Sequence, residues 1–314
     1  MFERLINNSQ NKRLLVIGDI MLDHYIIGKV NRISPEAPVP ILDVISENNT
    51  LGGCGNVINN LFNLGINIDV ISIIGNDEAG ENIMQKLNDI NVDTKNMLVK
   101  DNIKTTLKTR IIAENHQILR VDWNTKTINS SEENIIIKKI EEMSSKIDAV
   151  IISDYGKGLC TKLVLHQIIQ KANNLKIPTF VDPKGKEWEK YINATYITPN
   201  SKELEKILNH NLLNDYDFEI GGNQILSNYN INCCITTRGS DGVSVVEKNK
   251  KFHLKANAKE VFDVSGAGDT FIACFASAIV GGGSINEAAD FANYAAGIVV
   301  THMGTVAIKK DELL

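Results

Sequence analysis

The chain has 314 residues, 43% of them hydrophobic, and a formal net charge of -5. That length buries a large core as one α/β unit or two smaller ones, and mild acidity without a dense Lys/Arg stripe excludes a nucleic-acid partner. No apolar stretch reaches the roughly 18 residues of a membrane span and the N-terminus lacks a secretory apolar segment, so a cytoplasmic chain with no membrane partner is expected.

In chain order, RLLVIG (13–18) is a short apolar run closed by glycine, the pattern of a buried strand. DVISIIG (69–75), DAVIIS (148–153), IPTFVD (177–182), ATYIT (194–198) and NCCITT (232–237) repeat it. Helical periodicity fills 54–64, 78–90, 132–146, 161–175 and 201–208. Strands alternating with helices predict a mostly parallel sheet covered on both faces. Further on, DTFIACFASAIV (269–280) predicts a helix stopped by three glycines, and SINE (284–287) a capping box that opens another. No repeat or low-complexity linker divides the chain, which favours one domain.

Segments 23–48 and 104–123 break the alternation. Both are rich in β-branched residues, and the second suits a hairpin about Glu114–His116. They predict a small β lid over one edge of the core, whose exposed edges suit pairing into a homodimer. Cys54, Cys160, Cys233, Cys234 and Cys274 show no C-x-x-C spacing and are expected to be free thiols. The ending KKDELL carries one Leu too many for a terminal retrieval signal.

The stretch FDVSGAGDTF (262–271) runs from a short apolar lead through small residues into a predicted helix. One reading is a glycine corner with Asp269 as a first-turn acid stabilised by the helix dipole. The other uses the same geometry for chemistry. Glycines admit a ligand to the backbone, the N–H groups of Gly266, Ala267 and Gly268 point outward unpaired, and the positive helix end favours anions. A carboxylate beside such an anion hole suits phosphoryl transfer, with Asp269 taking the proton of an attacking hydroxyl.

FDVSGAGDTF, together with LGGCGNVINNLFNLG (51–65) and IGNDEAGE (74–81) about two hundred residues earlier, resembles the two signatures of the ribokinase-like (PfkB) carbohydrate kinases. VIGDIMLDHY, NRISPEAPVP, LKTRIIAENHQILRVD, ISDYGKG, VDPKG, TPNSKE and TTRGSDG are similar, as an ordered set, to the family's heptose 7-phosphate kinases. The resemblance runs from about residue 12 to 308 and implies an α/β, ribokinase-like fold: a mostly parallel central sheet, helices on both faces, and a small β lid. It implies an ATP-dependent kinase that phosphorylates the anomeric hydroxyl of D-glycero-β-D-manno-heptose 7-phosphate, feeding ADP-heptose and lipopolysaccharide core synthesis. Mg²⁺ would accompany ATP, and the family leaves room for a monovalent cation.

The resemblance also distributes roles. Asp23, Gly52, Gly53 and Asn56 would contact the sugar, and Arg110, Arg120, Lys157 and Lys184 are candidates for its phosphate, although the sequence does not say which face ATP instead. Asn200, Thr237, Gly239, Gly242 and Asn293 would line the nucleotide site, and Glu203 would organise Mg²⁺ through water. Asn200 and Glu203 also fit a plain helix capping box, and the two uses are compatible. Cys54 is read as packing. The H-x-G-H motif of the nucleotidyltransferase domain that follows many such kinases does not occur, and THMG (301–304) lies inside the kinase region. The expectation is a single kinase domain over 1–314 with no nucleotidyltransferase domain in it, either a monofunctional kinase or the kinase part of a longer polypeptide.

A Walker P-loop, a G-x-G-x-x-G after the first strand, H-E-x-x-H and G-x-S-x-G do not occur, which removes the common NTPase, dehydrogenase, zinc-hydrolase and serine-hydrolase readings. Two alternatives stay open at this level. One is a related kinase for another sugar or a nucleoside, and the other is a non-catalytic sugar- or nucleotide-binding regulator on the same fold.

Overall fold

The computed structural model describes residues 1–114, 116–143, 146–257 and 260–314 of the chain. In chain order the strands are β1 (Arg13–Gly18), β2 (Ile20–Ile33), β3 (Pro40–Gly53), β4 (Asn67–Ile71), β5 (Ile73–Gly75), β6 (Leu98–Lys100), β7 (Leu107–Ala113), β8 (His116–Trp123), β9 (Ala149–Ser153), β10 (Thr179–Asp182), β11 (Tyr196–Ile197), β12 (Cys233–Thr237), β13 (Val243–Glu247) and β14 (Lys251–Leu254). The α-helices are α1 (Phe2–Ser9), α2 (Cys54–Asn63), α3 (Glu78–Asp89), α4 (Ser130–Glu141), α5 (Lys162–Asn174), α6 (Ser201–Leu208), α7 (Asp215–Tyr229), α8 (Ala267–Val280) and α9 (Ile285–Val299).

β4, β1, β9, β10, β11 and β12 lie parallel in that order, and β13 and β14 extend the sheet in antiparallel fashion. Alternate side chains of each strand enter two different cores. Leu14, Val16, Ala149 and Ile151 pack with Val57, Phe275 and Phe291 from α2, α8 and α9. Leu15, Ile17, Val150 and Ile152 pack with Ile136, Ile168 and Phe218 from α4, α5 and α7. This double burial is why the central strands read as unbroken apolar runs.

The lid is a separate sheet in the order β3-β2-β7-β8, antiparallel at each hairpin and parallel between β2 and β7. β2 is buried over most of Ile20–Tyr25 and increasingly exposed beyond, so the lid is rooted in the body and projects from it. The hairpin joins Ala113 to His116, and Asn115 lies outside the described residues.

Two expectations are corrected, and one helix has no counterpart among the predicted elements. DVISIIG is two strands, because buried Ser72 donates its hydroxyl to the Gly18 carbonyl at 2.6 Å and accepts the Ile20 N–H at 3.2 Å. The ladder then passes to β6, where Leu98 donates to the Ser72 carbonyl at 2.9 Å. The helix expected over 132–146 starts earlier, on the Asn129–Glu132 capping box, and ends at Glu141, with 144–145 outside the described residues. α7 carries no strong sequence signal, since Gly221–Gly222 interrupts it; the Asn214–Asp217 capping box and packing on β13 form the helix. The Ser284–Glu287 capping box of α9 and the five free, buried cysteines are as expected. No helix among the described residues is long and apolar enough to cross a membrane.

Candidate active site

Asp269 falls in the first turn of α8, near its positive end, and is 3% exposed. Tyr155 donates its hydroxyl to Oδ1 at 2.6 Å, and Asn56 donates its amide to Oδ2 at 2.9 Å. Burial pushes the Asp269 carboxyl up to about 6, against the lowering effect of those donors. Gly266 sits at φ 81°, and a Cβ there would lie 2.7 Å from Asn56 Nδ2, so glycine is what lets that amide reach the carboxylate. The N–H groups of Gly266 and Gly268 have no partner among the described residues. That of Ala267 donates to the Val264 carbonyl at 3.3 Å, which corrects the expectation of three unpaired donors: the turn entering the helix engages the middle one.

β1, β9 and β10 are neighbours, and their ends bring three aspartates to one edge of the sheet. Asp19 accepts the backbone N–H groups of Tyr155 and Lys157, both at 2.9 Å, and of Leu159 at 3.1 Å. Asp154 accepts the Gly156 N–H and the Tyr191 hydroxyl, each at 2.7 Å, and pairs with Lys190. The 154–159 loop is thereby tied down at both ends, with the Lys157 amine reaching Asn124. Burial and the Asp154 carboxylate raise the Asp19 carboxyl, and the three N–H donors oppose that rise. At the end of β10, burial and the carboxylates of Glu203 and Asp269 hold Asp182 well above the usual range.

On the same side, Lys184 pairs with Glu203 at 2.6 Å. Glu203 also closes the α6 capping box, accepting the Asn200 N–H at 3.0 Å while Asn200 accepts its N–H at 2.9 Å. Thr237 bridges to Asn200, and Gly239 and Gly242 bracket the turn between β12 and β13. Asn293 is buried on α9 and donates to the Lys255 carbonyl at 2.7 Å, so it holds the chain after β14 in place.

At the lid root, Asp23 is 3% exposed and pairs with Arg110 at 2.6 Å, with Thr305 donating to its other oxygen at 3.2 Å. A Cβ on Gly52 would come within 2.3 Å of Asp23 Oδ2, so this glycine makes room for the acid itself; Gly53 follows it into α2. Register places Lys108 beside Asp23, Arg110 beside Tyr25 and Arg120 opposite Arg110. Arg120 pairs with Asp122 on its own exposed strand. The Lys108 ammonium lies 5.4 Å from the centroid of the Tyr155 ring, and burial pulls it below the usual lysine range, with Asp23 opposing.

The fold thus gathers Asp269, Gly266, Gly268 and Asn56 at one centre, Asp23, Gly52 and Arg110 at the lid root, and Lys184, Glu203 and Asn200 beyond β10. Tyr155, Asp19, Asp182 and Lys108 were not singled out from sequence. Lys108 alternates with Arg110 in LKTR, a period-two signal that could have found it. The three aspartates each stand at or just after a strand end, where open α/β sheets bind ligands.

The family profile described as pfkB family carbohydrate kinase matches residues 11–312. The bifunctional protein HldE of Sulfurimonas denitrificans is 40% identical over 309 residues, 98% of this chain and 65% of the relative. That of Helicobacter hepaticus is 40% identical over 307 residues, covering 98% and 64%. The chain therefore spans about 65% of the length of the curated relatives it matches. Among solved structures, Arabidopsis thaliana ribokinase complexed with ribose and ATP superposes with a TM-score of 0.75 at 18% identity, covering 96% of this chain and 97% of that one. Phosphofructokinase-2 from Escherichia coli in complex with potassium gives 0.81 at 20% identity, covering 96% of both, and these likenesses establish the ribokinase-like fold. The chain belongs to the pfkB family of carbohydrate kinases and is an ATP-dependent sugar kinase.

Proposed function

We propose that this kinase transfers the γ-phosphoryl group of ATP to the anomeric hydroxyl of D-glycero-β-D-manno-heptose 7-phosphate, giving the 1,7-bisphosphate for ADP-heptose and lipopolysaccharide core synthesis. The observation that carries the chemistry is Asp269: a buried carboxylate with neutral donors on both oxygens, at a helix N-terminus with open N–H groups. Such a group takes the proton of the attacking hydroxyl while the amides of the 266–268 turn, chiefly Gly266 and Gly268, face the transferring charge. The choice of sugar is supported by the likeness to the HldE proteins across nearly the whole chain.

In this reading Asp23, Gly52, Gly53 and Asn56 face the sugar. Lys157 holds its phosphate together with Lys108 and the spare donors of Arg110; Arg120, paired on the exposed strand, has the weakest claim. Lys184 belongs to the ATP side with Asn200, Thr237, Gly239 and Gly242, and Asn293 supports the adenine end through the chain it holds. The donor set fits Mg²⁺: the Asp182 carboxylate accepts no hydrogen bond among the described residues and stands beside that of Glu203, a crowding of negative charge that a divalent cation relieves. Glu203 would hold the ion through water, and bound Mg²⁺ would neutralise charge on the ATP phosphates. Val44, Ile45, Leu119 and Trp123, exposed on the lid's edge strands, are where two copies would pair, which sedimentation at micromolar concentration would read.

The deciding experiment is an ATP-consumption assay across sugar phosphates that includes both heptose 7-phosphate anomers, with the product located by phosphorus NMR. Turnover of the β-anomer to a 1,7-bisphosphate is expected. Equal use of dephosphorylated heptose, or preference for another sugar phosphate, would overturn the assignment.

A further inference from the structure

The 154–159 loop is fastened more heavily than its length requires. Two buried aspartates, Asp19 and Asp154 at 4% and 1% exposure, hold it through four backbone N–H groups, and Lys190 and Tyr191 hold Asp154 in turn. Burying two carboxylates side by side is costly, so a loop that needs both is one whose position matters. What the loop delivers is the Tyr155 hydroxyl, 2.6 Å from Asp269 Oδ1. The Lys108 ammonium over the same ring adds a further contact from the lid.

We propose that Tyr155 is a positioning residue for Asp269: its hydroxyl, set by the Asp19–Asp154 clamp, fixes the carboxylate plane and favours the ionised form that accepts the substrate proton. Burial keeps the tyrosine hydroxyl protonated far above neutral pH, so it stays a donor throughout the working range. The other groups facing Asp269 are Asn56 and Cys54 from α2, Asp23 from β2, Lys108 from β7 and Asp182 from β10. Asp23, Asp182 and burial oppose ionisation, and Asn56, Lys108 and Tyr155 favour it. Tyr155 makes the shortest of the hydrogen bonds to the carboxylate. The inference rests on the reading of Asp269 as the base, so its test separates the two.

The Asp269 side-chain carboxyl is titrated by carbon-13 NMR in the ligand-free protein, its signal assigned by loss in Asp269→Asn. The Tyr155→Phe variant should raise the midpoint by about half to one pH unit, as expected for loss of one donor to the charged form. The acidic limb of kcat/KM should move by the same amount, with the KM values for sugar and ATP held within about twofold. The substrate's own phosphate ionisation is common to both proteins and cancels. An unchanged carboxyl midpoint overturns the proposal, as does a variant whose only defect is a raised sugar KM. If the midpoint moves while the rate limb stays, the base role of Asp269 falls and the hold of Tyr155 on it stands. Should Tyr155→Phe fail to fold, 3,5-difluorotyrosine at 155 keeps the ring and strengthens the donor. The midpoint should then fall, and a midpoint that does not fall overturns the proposal equally.

Discussion

Asp269 in the α/β body and Asp23 at the lid root are equally hidden from solvent, yet their surroundings differ in kind. Asp269 meets a phenol and an amide, both neutral, on the two oxygens of its carboxylate. Asp23 meets a guanidinium at 2.6 Å on one oxygen and a threonine hydroxyl on the other. A buried carboxylate with only neutral donors keeps a raised proton affinity, whereas one facing a guanidinium is locked into an ion pair. In the proposed mechanism the body would therefore present the group that takes up a proton, and the lid a fixed frame of charge for the substrate to dock against. Burial alone does not separate these two acids; the charge of their partners does.

The sharpest way to break this comparison is Asp269→Asn. It keeps the shape and loses the proton acceptor, and kcat should fall by about 10²–10⁴-fold with ATP affinity held within about twofold. In the unmutated enzyme, kcat/KM should fall about tenfold per pH unit below about 6, because the raised carboxyl is protonated there and the base is lost as pH drops. A rate that stays flat down to pH 5 would remove the base role.

On the lid side, Arg110→Ala leaves Asp23 buried without its cation. A loss of about 3 kcal/mol in unfolding free energy is expected from a urea titration, with Arg110→Lys losing less because it keeps the charge but not the planar fork. An unchanged urea midpoint would show that Asp23 does not depend on the pair.

Two lysines sharpen the division of the site. Lys157→Ala should raise the sugar KM by about tenfold and leave the ATP KM nearly unchanged, and Lys184→Ala should do the reverse, each losing one charge-assisted contact. Exchanged phenotypes would swap their sides. The smallest effect expected is dynamic: amide hydrogen exchange in 23–48 and 104–123 should slow on adding sugar phosphate while the central strands do not change. Unchanged lid exchange at saturating substrate would confine those segments to packing or assembly.

The sequence by itself determined the parallel core, because a strand buried on both faces writes its burial as an unbroken apolar run, and RLLVIG and DAVIIS lie in β1 and β9 within a residue of their expected bounds. It also determined the α9 cap, the mixed β lid and the Asn200–Glu203 capping box, and its local motifs singled out Asp269 and Asn56 as candidates, which the fold brings together. Only the tertiary structure decided what lies across the chain. Tyr155 reaches Asp269 from 114 residues away, and Arg110 reaches Asp23 from 87. The Asp19 clamp, the interruption of DVISIIG by Ser72 and the loss of the Ala267 donor to the turn are of the same kind. Polar residues in loops carry no period and no propensity that distinguishes a surface turn from a buried clamp. Their partners are chosen by which strand ends the sheet order brings side by side, and that order is fixed by packing rather than by any local stretch of sequence.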